Sequence, residues 1–232
     1  MVSVQHADLY LRVGAGLDYW CDQLLAAAGN RHLNVIDCSR GIVLLHNSEE
    51  ENHGHGEHEA GNPHYWLGPS NLPMIAQNIA HGMEQADAAH TGAYAQGLTR
   101  FLAQFETHFA EWKSALSHCG GARIVTFHRS WDYLARDFGM QIVGTVEPHP
   151  GAEPSPESLA LLEEAIHDRG ATLLLLEPYE SARLAQLMAR DTGITVVTVP
   201  SSAGSMAQTQ DIFSFFDFVT HEIGTRGANA HP

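Results

Sequence analysis

The stretch RIVTFHRSWDYLARDFGMQIVGTV, Arg123–Val146, decides the architecture. Arg123–Phe127 is a short, mostly apolar run of strand length. Ser130–Phe138 then reads as a helix closed by Gly139, and Gln141–Val146 as the next strand. The alternation continues to the end of the chain. Pro148–Pro156 is a Pro-rich loop. Ser155-Pro156-Glu157 caps a helix reaching about Asp168, with proline at its first position and Gly170 as its stop. Leu173–Leu176 is a strand, Ser181–Arg190 a helix stopped by Gly193, and Ile194–Val199 a strand. Asp211–Glu222 is the last helix, and Gly224–Pro232 is expected to fray. Strands buried on both faces and alternating with helices define a parallel sheet covered on both sides.

Upstream the same pattern is less complete. Asp8–Val13 is a strand running into a turn at Gly14 and Gly16, Leu17–Ala28 a helix, and Leu33–Cys38 a second strand. Ser70 is placed to cap a helix from Leu72 to about His90. A longer helix follows over Ala93–His118. Its apolar residues Tyr94, Leu98, Phe101, Leu102, Phe105, Phe109, Trp112 and Leu116 step by three and four, and Gly120-Gly121 ends it. The expected fold is α/β, with two lobes of parallel sheet covered by helices, joined by a long rigid helix. The boundaries are 1–90 for an incomplete first lobe, 91–119 for the linking helix and 120–232 for the second lobe.

The composition, 44% hydrophobic and 17% charged over 232 residues, is that of a globular chain long enough for real cores. A net charge of −15 argues against nucleic acid and anionic membrane surfaces as partners. Cys21, Cys38 and Cys119 have neither zinc-ribbon spacing nor a dense disulfide pattern, so either one bridge with a spare thiol or three buried free thiols fits. No run is long enough for a membrane span. The first residues, MVSVQHADLYLRVG, lack the charged, apolar and cleavage regions of a signal peptide, so either a cytoplasmic protein or a missing start is expected.

The compositional outlier is the sixteen histidines. The aperiodic stretch 46–64 holds His46, His53, His55, His58 and His64, with Glu49, Glu50, Glu51 and Glu57 among them. Imidazole and carboxylate together are a metal-capture composition, although a solvated acidic loop has the same look. In open parallel sheets, ligands bind beyond the carboxyl ends of the strands. His128 ends one such strand, Glu177 another, and Pro200-Ser201-Ser202 a third. Singly, His128 could be a core or capping histidine, and Glu177 could cap the next helix through its dipole. His64, held between Pro63 and Trp66, is the candidate from the first lobe. Two imidazoles and a carboxylate make a borderline-soft site suited to Zn²⁺ and less well to Mn²⁺.

At these residues the sequence resembles the substrate-binding proteins of zinc and manganese ABC importers, the ZnuA/TroA type. The resemblance rests on ADLYLRVGAGLDYW (Ala7–Trp20), NPHYWLGP (Asn62–Pro69), FHRSWDYLARDFGM (Phe127–Met140), GAEPSPESL (Gly151–Leu159) and LLLEPYES (Leu174–Ser181). It implies that His64 and His128 are metal ligands and that Glu177 is a third in some branches. A histidine-rich loop before the second motif is typical of the zinc branch. Two departures stand out. Family members carry an earlier histidine motif and an export signal upstream of the first segment, so this chain looks N-terminally shortened. Ser201 stands about where the family often has a ligating Asp, and Gly68 replaces another Asp.

The resemblance implies a binding protein, not an enzyme. It would capture a divalent metal ion and deliver it to an ABC importer permease, as a monomer. In full-length form it would be periplasmic or lipid-anchored outside the cytoplasm. His53, His55 and His58 would be accessory collectors. A zinc-dependent hydrolase, or a degenerate member that binds no metal, are the alternatives. Against the hydrolase, there is no HExxH motif.

Overall fold

Parallel pairing governs both halves of the chain. In the computed structural model, which describes residues 2–46, 61–147 and 153–229, the chain divides into two compact units. The first comprises residues 1–66 and 70–105, the second 67–69 and 106–232.

The first unit opens with a single turn of helix, α1 (Val2–Gln5), and pairs β1 (Leu9–Arg12) with β2 (Asn34–Asp37) in parallel, Leu9 opposite Asn34 and Arg12 opposite Asp37. The crossover helix α2 spans only Cys21–Ala28, shorter than the apolar pattern from Leu17 suggests. The reason is Asp18. Its carboxylate accepts the backbone N–H groups of Val13 and Gly14 at 2.8 and 3.0 Å, which holds residues 15–20 in turns. Gly14 has φ +75°, and a Cβ there would stand 2.0 Å from Asp37 Oδ1. Helix α3 (Leu72–Ala86) packs on β2 so closely that a Cβ on Gly82 would lie 2.3 Å from Ile36 Cγ1. Ser70 does not cap α3. It sits inside a 3-10 turn, Pro69–Asn71, while the Asn71 amide donates to the Tyr65 carbonyl at 2.8 Å. The helix ends at Ala86 rather than near His90, and a 3-10 turn follows.

Helix α4 (Thr91–Ala115) is continuous across the boundary between the units at residues 105 and 106. It ends three residues before His118, which falls in a 3-10 turn over Ser117–Cys119. Of its apolar stripe, Phe105, Trp112 and Leu116 are buried.

The second unit holds four parallel strands in the order β4-β3-β5-β6, namely β3 (Arg123–Thr126), β4 (Gln141–Thr145), β5 (Leu173–Leu176) and β6 (Thr195–Thr198). The helices are α5 (Asp132–Phe138), α6 (Pro156–Arg169), α7 (Ala182–Thr192) and α8 (Ile212–Asn229). Ser155 caps α6 by accepting the Ser158 N–H at 3.0 Å, and Ser181 caps α7. Val125, Phe127, Leu174 and Leu176 pack with Leu162 and Ile166 of α6 and with Ala185 and Met188 of α7. On α8, Phe215, Phe216, Val219 and Ile223 are fully buried. The expected frayed tail is therefore wrong up to Asn229, because α8 continues well beyond Glu222. All three cysteines are buried free thiols, which resolves the two readings in favour of no bridge.

Candidate metal centre

The strand order of the second unit fixes where a ligand can sit. From β3 the chain steps outward to β4, then returns across β3 to β5 and proceeds to β6. The crossovers therefore diverge between β3 and β5, and the crevice beyond their carboxyl ends is the topological switch point. His128 follows β3 and Glu177 follows β5 on the two sides of that point. Thr126 pairs with Leu175, so the same register puts His128 opposite Glu177.

Glu177 is fully buried. Its Oε1 accepts from the indole Nε1 of Trp131 at 3.0 Å, while Oε2 is buried with no hydrogen-bond partner among the described residues. Burial pushes its pKa up to about 7, with the Trp131 hydrogen bond pulling the other way. A buried carboxyl with an unused oxygen is costly in an apolar core and is suited to a cation that would take up the charge. It does not serve as the helix cap considered from sequence, since Ser181 caps α7. Burial also holds the His128 pKa below its ordinary value, with Glu147 and Asp132 opposing. The imidazole is thereby kept in the neutral form, which is the form that ligates metals.

His64 lies in the first unit and is half-buried. Asn62 holds it twice, its Oδ1 accepting the His64 backbone N–H at 2.9 Å and lying 2.8 Å from Nδ1. A carbonyl oxygen only accepts, so the ring proton sits on Nδ1 and the lone pair on Nε2. Asn62 is itself buried, its N–H donating to the Leu45 carbonyl at 2.7 Å. Trp66 flanks the imidazole at a centroid distance of 5.3 Å, and the buried Tyr65 donates its hydroxyl to the Val13 carbonyl at 2.5 Å. Asn62 is the residue whose role sequence reasoning missed. Its signal was there, a short amide two positions before a histidine, where it bonds the following backbone readily.

The register thus sets His128 and Glu177 on the ends of neighbouring strands. Among the described residues, no three His, Cys, Asp or Glu side chains converge as a ready-made metal cluster. His53, His55 and His58 lie outside the described residues; His46 is exposed. Ser201 Oγ is 3.0 Å from the Tyr179 hydroxyl.

Two α/β units with a continuous helix running from one into the other, and ligand-type side chains at a switch point, define the class of two-lobed binding protein. The family model described as "Zinc-uptake complex component A periplasmic" matches residues 1–225, and the chain belongs to this family. The high-affinity zinc uptake system protein ZnuA of Bacillus subtilis is 26% identical over 216 residues, 91% of this chain and 68% of that protein. The zinc-binding lipoprotein AdcA of Streptococcus pneumoniae is 24% identical over 199 residues, 84% of this chain but only 40% of that protein. A crystal structure of ZnuA superposes with a TM-score of 0.81 at 25% identity, covering 97% of this chain and 81% of that one.

Proposed function

We propose that the protein is a carrier that captures a divalent cation, Zn²⁺ in the first instance, and hands it to an ABC-type membrane importer. The observation that carries this reading is the buried Glu177 carboxyl, its Oε2 unpartnered among the described residues, on the strand next to that of the His128 imidazole at the switch point. Membership of the zinc-uptake family and the similarity to ZnuA and AdcA support the same cargo and the same kind of partner. His64, His128 and Glu177 are the proposed ligands. A set of two imidazoles and one carboxylate matches zinc better than manganese, whose preference is for oxygen. In this reading the protein works outside the cytoplasm, as a monomer, and performs no chemistry on its cargo. Among the described residues no helix is long and apolar enough to cross a membrane. His53, His55 and His58 act as a low-affinity collector.

Competition titration of the untagged protein against a chromophoric zinc chelator tests the reading. One zinc per chain should bind, and both His64→Ala and His128→Ala should weaken binding strongly. Binding unchanged in His128→Ala would overturn it. So would zinc-dependent turnover across ester, peptide and phosphate substrates that His128→Ala abolishes.

A further inference from the structure

Strand β4 ends beside the proposed cation site. Thr126 of β3 pairs with Thr145 of β4, and the ladder extends one bond further, the Glu147 N–H donating to the Phe127 carbonyl at 2.8 Å. Carried one residue on, the register sets Glu147 beside His128 on the side opposite Glu177. The rung beyond the carboxyl ends of the sheet thus reads Glu147, His128, Glu177, Val199 from β4 to β6. Neighbouring parallel strands are about 4.8 Å apart, and residues on one rung point to the same face. Donor-type side chains are therefore concentrated over β4, β3 and β5, and β6 contributes only Val199 to the rung.

Glu147 is half-buried, and its charge is felt at His128, Tyr179 and Glu180. Glu180 is less well placed. It lies past the turn at Pro178-Tyr179, with its N–H bonded back to the Glu177 carbonyl at 3.0 Å, and so is off the rung. A divalent cation bound by neutral imidazole and a single carboxylate keeps an uncompensated positive charge in a partly dehydrated site. A second carboxylate removes that charge and adds a donor toward the four that zinc takes.

We infer that Glu147 supplies the second carboxylate of the cation site, ligating the metal on the side of His128 opposite Glu177. The inference rests on the proposed cation-binding role of His128 and Glu177. It requires the Glu147 side chain to turn toward the cation on binding, since the three side chains do not converge in this structure.

The test uses the full chain and zinc itself. Glu147→Gln keeps the shape of the side chain and removes its charge; Glu164→Gln removes the same charge from an exposed site on α6. Thermal unfolding in the absence of metal checks that both fold. In chelator competition, Glu147→Gln should weaken zinc binding by about tenfold or more, with Glu164→Gln close to wild type. The visible d–d bands of the Co²⁺-substituted protein should also change in position and intensity in Glu147→Gln only. Equal losses in the two variants would reduce Glu147 to long-range charge and overturn the inference. An unchanged Co²⁺ spectrum in Glu147→Gln would overturn it as well. If instead His128→Ala binds zinc as the wild type does, the underlying site assignment fails, and that result is separate from either of these.

Discussion

The Trp131 indole donates to Glu177 Oε1 at 3.0 Å inside the second unit, so a buried carboxyl group is held at the carboxyl end of β5 with its other oxygen unpartnered among the described residues. The energetic consequence runs with pH. Burial raises the Glu177 pKa to about 7 in the folded metal-free protein, from an ordinary 4.5. Between these values the folded state holds the proton that the unfolded state releases, so stability falls as pH rises. The contribution is fully present below pH 4.5 and lost above about 7, at most about 3 kcal/mol. Denaturant unfolding of the metal-free protein and of Glu177→Gln across this range should show their difference closing or reversing in favour of the variant as pH rises. A pH-independent difference would contradict the assignment.

Asn62 tests whether the His64 ring must be held to bind zinc well. Asn62→Ala removes the acceptor for both the backbone N–H and Nδ1 of His64. Loss of such an orienting partner typically weakens metal binding by about 10- to 100-fold. Asn62→Asp keeps the acceptor oxygen and should retain most of the affinity. The readout is chelator competition alongside a thermal melt, and affinity should fall further than a modest stability loss can explain.

Trp112 anchors α4 to α8 within the second unit. It is 1% exposed, its Nε1 donates to Asp217 Oδ1 at 2.7 Å, and its ring lies 5.0 Å from that of Phe216. Trp112→Phe keeps much of the apolar contact and loses the charge-assisted hydrogen bond. The expected cost is about 2 kcal/mol in denaturant unfolding. Zinc affinity should barely change, because Asp217 and Phe216, which Trp112 contacts, are not proposed ligands.

Residues 49–59 lie outside the described part of the chain, and their role is predicted from composition. Deleting them should leave tight one-to-one zinc binding in place while removing weaker additional zinc uptake, read by titration calorimetry beyond one equivalent. Loss of the tight site on deletion would move the centre of binding into the loop.

Much of this protein is legible locally. The alternation from Arg123 to Val199 specifies a covered parallel sheet. Gly139 and Gly170 take up left-handed conformations at φ +68° and +65°, where the sequence places helix ends. Ser155 and Ser181 cap where they should. Helix starts were less legible. The apolar run from Leu17 is overridden by Asp18 binding the turn before it, and α3 starts after Asn71, whose amide donates to the Tyr65 carbonyl, rather than directly after Ser70. The tail from Gly224 was expected to fray, yet α8 runs on through Gly224 and Gly227. In the structure they permit close packing, a Cβ on Gly224 falling 2.9 Å from the Ala115 carbonyl oxygen and one on Gly227 falling 3.1 Å from Cys119 Sγ.

By itself the sequence determined the α/β class, the order of strands and helices along the chain, and His64, His128 and Glu177 as residues of the right chemistry at strand and loop ends. Periodicity, capping and turn chemistry act over a few residues and can be read in one dimension. Only the tertiary structure decided the strand order, with its switch point between β3 and β5, and the register that puts Glu147 and Glu177 on either side of His128. It also decided the burial that leaves a Glu177 oxygen without a partner among the described residues, and the hold of Asn62 on the His64 ring. These depend on pairing between segments tens of residues apart, and such pairing is set by how whole faces pack rather than by any local preference.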